Sequence, residues 1–225
     1  DQVDTVVFAG NVRRPDFASL KPDFRGALAL PRIIAEARKG DDALLTAIMD
    51  EFVKEGFKVA GAEDILASLL AQAGVLGAVT PTADHWGDIV KAAQVAAEIG
   101  RLDIGQAVAV ANGLILAVEA QEGTDALLAR VAGLPGNIRG TPTARLGVLL
   151  KCPKPQQERR IDLPTIGLAT LEGAARAGLA GIAVEADGAL VMDRSVLVAA
   201  ADEAGMFLVA YTLSLIHISE PTRQA

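Results

Sequence analysis

Apolar residues at Leu44, Leu45, Ile48, Phe52 and Val53 recur at three- and four-residue intervals, so Asp41–Glu55 is expected as a helix with one buried face. The segment before it, DTVVFAGN, is a short β-branched run: a strand that ends at Gly10-Asn11 and gives way to a loop through Arg13, Arg14 and Pro15. LPRIIAEARKG reads as a short helix stopped by Gly40, and FKVAG as a further strand. Beyond an uncharged stretch, Asp84–Ile99 is helical, with Ile89, Ala93, Ala96 and Ala97 on one side. AVAVANGLILAV then places Asn112-Gly113 between two apolar runs, the strongest short-range signal for a β-hairpin. RLGVLLK, GIAVEA and MFLVAY read as strands, TLEGAARAGL and RSVLVAAADEAG as helices, and Asp187-Gly188 as a turn. The alternation predicts an α/β fold of two small α/β domains joined by a linker.

Residues 40–45 read GDDALL and residues 123–128 read GTDALL. Each copy sets a glycine and acidic or hydroxyl residues before an apolar run, which is how a helix N-terminus with a side-chain cap is written. Backbone N–H groups point out of such an end, so the pair is either a repeated capping device or two halves of one anion site.

Residues 1–64 are expected to be the C-terminal part of an N-terminal α/β domain, residues 65–83 a helix end and interdomain linker, and residues 84–213 a mixed α/β domain. The chain opens at Asp1 directly before a strand, and preceding sequence is expected to be missing, leaving the first domain incomplete. SLIHISEPTRQA (Ser214–Ala225) resembles translated adapter sequence, and residues 214–225 are expected to be a non-native tail. The stretch ILASLLAQAGVLGAVTPTA carries no formal charge and approaches membrane-spanning length. Its Ser68, Gln72, Gly74, Gly77, Thr80, Pro81 and Thr82 make the second half loop-like and favour the linker.

Charge narrows the function. At 225 residues with a formal net charge of −7, the chain lacks the basic surplus that phosphate neutralisation demands of a nucleic-acid binder. One cysteine, Cys152, makes no internal disulfide, and no signal-peptide pattern is present, so a cytoplasmic setting is expected. With only His85 and His217, histidine-based triads have almost no material, and Cys152 has no zinc-ligand neighbours. Dinucleotide and P-loop fingerprints are absent from the sequence. What remains is oxygen chemistry: Asp41, Asp42, Asp103, Glu119, Glu122, Asp125 and Asp162 are hard ligands suited to Mg²⁺ and to hydrolysis by activated water. Asp162 stands out because KCPKPQQERRIDLPTIG gathers Lys151, Lys154, Arg159 and Arg160 in an otherwise acidic chain. A basic loop leading to a carboxylate suits an anionic substrate; a solvated loop closed by an Asp turn is the other reading.

FAGNVRRPDF, ARKGDDALL, IGRLDIGQAVAV, VEAQEGTDALL, KCPKP and IDLPTIG occur in the order seen in bacterial UDP-2,3-diacylglucosamine diphosphatases of the LpxI type, which the chain resembles from about Asp4 to Tyr211. The resemblance implies a cytoplasmic, Mg²⁺-dependent hydrolase. It would split the diphosphate of UDP-2,3-diacylglucosamine to UMP and 2,3-diacylglucosamine 1-phosphate for lipid A synthesis. It implies two α/β domains with substrate between them, and contact with the inner membrane as a peripheral partner. The aspartate of IDLPTIG, Asp162, becomes the catalytic candidate, with Asp162 and Asp125 as metal ligands. Gly10, Asn11, Asp41, Asp42, Gly123, Thr124 and Asp125 become candidates for lining the cleft, and Lys151 and Lys154 for meeting the diphosphate. The two acyl chains need apolar surface, which Ile65–Val79 or the hairpin could offer. The alternatives are a non-catalytic binder of a nucleotide-sugar or lipid phosphate, separable by measuring UMP release, and an unrelated phosphosugar enzyme, against which the scarcity of histidine counts.

Overall fold

The computed structural model describes residues 3–8, 15–155, 163–212 and 214, and these divide into two compact units at Ala67/Ser68. Both are mixed α/β.

In the first unit, strand β1 (Thr5–Val7) pairs in parallel with β2 (Lys58–Ala60), Val6 opposite Val59. Two parallel strands need a crossover, and here it holds helices α1 (Phe24–Ala37) and α2 (Asp41–Lys54). Asp23 caps α1 by accepting from the Gly26 N–H at 2.8 Å. Across the helix pair Arg32 binds both Asp50 (2.6 Å) and Glu51 (2.7 Å). Leu44, Ala47 and Met49 form the buried stripe of α2, and Phe52 meets Phe8 edge-on at 5.4 Å. A one-turn helix, α3 (Ala62–Ile65), ends the unit.

The second unit is built on a six-stranded sheet. Its strands in chain order are β3 (Gly74–Val75), β4 (Ala107–Ala111), β5 (Leu114–Val118), β8 (Val148–Lys151), β10 (Gly181–Glu185) and β12 (Phe207–Tyr211), arranged β3-β12-β10-β8-β4-β5. β8, β10 and β12 are parallel; β3 and β4 run against them, and β5 runs against β4. The short pairs β6 (Gly140–Thr141) with β7 (Ala144–Arg145), and β9 (Thr165–Ile166) with β11 (Leu190–Val191), lie outside the main sheet.

Strand side chains alternate faces, and the core follows that alternation. Val108, Val110, Val148, Leu150, Ala183, Val209 and Tyr211 pack with Ile89, Ala92 and Ala96 of helix α4 (Ala83–Arg101). Ala109, Leu149, Ile182, Val184 and Leu208 pack on the other face with Leu127 and Leu128 of α5 (Gly123–Ala132), Leu171 of α7 (Leu168–Arg176) and Leu197 of α8 (Arg194–Glu203). A further one-turn helix, α6 (Gly136–Arg139), follows α5. Central strands covered on both faces explain why their sequences are nearly continuous apolar runs.

The hairpin forms at the expected residues. Asn112 (φ 49°) and Gly113 (φ 74°) supply the consecutive positive-φ positions of a tight turn. The uncharged stretch read as a linker makes specific contacts within the second unit. Ala71 is fully buried, its N–H donating to Ala189 O and its O accepting from Asp187 N, both at 2.9 Å. Gly74–Val75 joins β12 as an edge strand, and Ala78 N donates to Asp202 Oδ1 at 2.8 Å. Small, uncharged residues can run along a sheet edge at close range, so a composition that reads as loop is here loop tied to the second core.

No helix among the described residues is long and apolar enough to cross a membrane. Gly10, Asn11 and Asp162, and residues 215–225 of the tail expected to be non-native, lie outside the described residues.

Candidate active site

The carboxyl ends of β5, β8, β10 and β12 all meet at one margin of the sheet, with the entry to β4 between them. That margin is where open α/β sheets place ligands, because loops and helix N-termini converge there. Five of the expected site residues stand on the elements that leave or follow it: Gly123, Thr124 and Asp125 open α5, Lys151 ends β8, and Lys154 lies three residues further on.

At α5, Gly123 takes φ 79°, a conformation that glycine adopts without steric cost, and its N–H donates to Ala120 O at 3.2 Å. The residue preceding the helix, Glu122, makes no side-chain cap, so the first N–H groups of the helix lack that usual acceptor. Thr124 is half-buried and Asp125 is exposed. The other near-repeat opens α2 in the first unit, where Gly40 precedes the helix, again with no side-chain cap, and Asp41 and Asp42 are its first residues. The expectation of a side-chain cap therefore fails at both ends. The copies are also one residue out of step, since glycine stands before one helix and inside the other.

Lys151 is 7% exposed and donates to Thr165 O at 3.0 Å. A buried ammonium needs such acceptors, and its place opposite Ala107 and Val184 sets positive charge at the sheet margin. Lys154 pairs with Asp103 at 2.5 Å, which commits it to the turn after α4. Cys152 is buried, and its N–H donates to Gln106 O at 3.1 Å. Tyr211, at the end of β12, is 1% exposed. Burial pushes its phenol above the ordinary value, with Cys152 and Glu185 adding to the effect, so it stays neutral. His85 packs and caps: its Nδ1 accepts from Thr82 N at 3.2 Å and its ring lies 5.0 Å from Phe207.

Glu119 is the residue that sequence reasoning named as a carboxylate and left out of the site. Leaving β5 with its N–H on Ala107 O (2.8 Å), it is 6% exposed and accepts from Gln106 N at 3.0 Å and Thr124 Oγ1 at 2.6 Å. Its signal in the sequence was position: an acid five residues before a threonine, across a strand-to-helix turn.

No three His, Cys, Asp or Glu side chains gather as a preformed metal site among the described residues. Mg²⁺ often takes only one or two carboxylates, the remaining ligands being water and substrate phosphate oxygens, and an exposed carboxylate such as Asp125 is a fitting donor.

Comparison with known proteins supplies the rest. Residues 1–69 match the LpxI N-terminal domain and residues 72–209 the LpxI C-terminal domain. A relative from Caulobacter vibrioides, described as UDP-2,3-diacylglucosamine pyrophosphatase LpxI, is 60% identical over 205 residues, covering 91% of this chain and 73% of that protein. With both domains matched in order along one chain, the protein belongs to the LpxI family.

Proposed function

We propose that this protein hydrolyses the diphosphate of UDP-2,3-diacylglucosamine, giving UMP and 2,3-diacylglucosamine 1-phosphate for lipid A biosynthesis. The observation that carries the reading is the 60% identity to the Caulobacter pyrophosphatase across 91% of the chain. The sheet margin supports it. The α5 N-terminus offers N–H groups and the positive end of a helix dipole to the diphosphate, and Lys151 adds a buried cation. Asp41 and Asp42, the first residues of α2, and Gly10 and Asn11 are the substrate-binding candidates of the first unit, on the family resemblance. Adjacent carboxylates at α2 repel phosphate and so call for a cation there.

Mg²⁺, held by Asp125 and Asp162, would supply charge neutralisation on the phosphate oxygens. Asp162 orients the attacking water and takes its proton. The leaving phosphate departs as the dianionic lipid monosaccharide phosphate or as UMP, according to which phosphorus is attacked. The enzyme works in the cytoplasm at the inner membrane, where exposed Leu114 (58%) and Ile115 (47%) of the hairpin offer apolar surface to acyl chains. UMP release with and without a chelator, for the wild type and Asp162→Asn, tests this. The substitution keeps the side-chain shape and removes its charge, so turnover should fall at least about 100-fold. Undiminished turnover in Asp162→Asn would reduce Asp162 to a turn residue.

A further inference from the structure

A carboxylate is an expensive group to bury, and neutral hydrogen-bond donors can offset that cost. Glu119 is fixed in this way on both oxygens. Oε2 receives the backbone N–H of Gln106, at the entry to β4, and Oε1 receives the hydroxyl of Thr124, the second residue of α5. The backbone at Gly105 packs so closely on Glu119 that a Cβ there would overlap the Glu119 carbonyl. Glu119 therefore ties the start of one strand to the start of the helix that follows the next, at the carboxyl margin of the sheet.

The bond also sets which chemistry α5 presents. A hydroxyl has one hydrogen, and Thr124 spends it on Glu119 over a short 2.6 Å. The hydroxyl then has only lone pairs left, so phosphate recognition at this turn falls to the backbone N–H groups, whose placement depends on the helix start being held. We propose that Glu119 is a positioning residue of the diphosphate site, holding the α5 N-terminus through Thr124. The inference rests on the functional reading given above for its ligand, and on the hydrogen bonds for its mechanism.

The test uses inorganic diphosphate and UMP as probes, titrated into isotope-labelled full-length chain while the amide resonances of Thr124 and Asp125 are followed. In the wild type both amides should shift on titration. Glu119→Gln and Thr124→Val should weaken binding about tenfold, the range for losing a hydrogen bond to a charged group, while Thr124→Ser, which keeps the hydroxyl, should bind as the wild type does. In UMP-release assays the loss should appear chiefly in KM, because the N–H groups bind ground state and transition state alike. Should Glu119→Gln fail to fold, the Thr124→Val and Thr124→Ser pair decides alone. Wild-type amides that ignore both probes, or variants that bind equally well, would overturn the proposal. Absent UMP release from a wild type whose probe binding follows this pattern would instead overturn the enzymatic reading and leave the positioning role standing.

Discussion

His85 joins two roles in one ring. Its Nδ1 accepts from the Thr82 N–H while the His85 N–H donates to Thr82 Oγ1 at 3.3 Å, a reciprocal cap on α4. An accepting Nδ1 carries no proton, and burial lowers the affinity of the imidazole for a second one, with Asp88 and Asp84 opposing. The folded state thus binds the proton less well than the unfolded chain. The stability contributed is full above the ordinary histidine value near 6.5 and is lost as pH falls through the lowered folded value. His85→Gln keeps a capping-box residue and removes the titration. Its thermal midpoint should be nearly flat between about pH 7 and pH 5, where the wild type declines; parallel curves for the two proteins would show that His85 does not set the slope.

The hairpin depends on a residue that the hairpin itself does not contain. Asp88, in the second turn of α4 and 3% exposed, accepts from Asn112 N (3.0 Å) and Gly113 N (2.7 Å). Both turn donors are thereby satisfied by one helix carboxylate, which locks β4–β5 against α4. Asp88→Ala leaves two N–H groups without that acceptor and should destabilise the second unit by about 2–3 kcal/mol in urea unfolding; a change under about 0.5 kcal/mol would mean that water replaces the carboxylate without loss. The turn was legible in Asn112-Gly113 because positive φ is a local demand. The clamp was not, because nothing near Asp88 marks it as the partner of residues on another element. The near-repeat teaches the same lesson. GDDALL and GTDALL each begin a helix, as their letters require, yet the missing side-chain caps and the one-residue offset follow from the chain that enters each helix. Strand identity, and the two faces of the sheet, were written in the apolar runs; strand order was not, since parallel pairing joins residues far apart in the chain.

At the scale of the molecule, the boundary between the units is a physical question about residues 68–82. Read as linker, they are dispensable to the second unit, which would then begin with α4. In the structure they fill a place in it: Ala71 is sealed against the turn after β10, β3 covers the edge of β12, and Asp202 holds Ala78. An uncovered β12 would also expose a strand edge, and exposed edges recruit other chains. A chain beginning at Ser68 should accordingly unfold cooperatively and remain monomeric. One beginning at Ala83 loses the Ala71 contact, the β3 pairing and the Asp202 bond together. It should be at least about 2 kcal/mol less stable, by the sum of a few net hydrogen bonds, and should self-associate at concentrations where the longer chain does not. Urea unfolding and sedimentation of the two chains measure both effects. Equal stability and equal mass would return residues 68–82 to the status of linker and place the start of the second domain at α4.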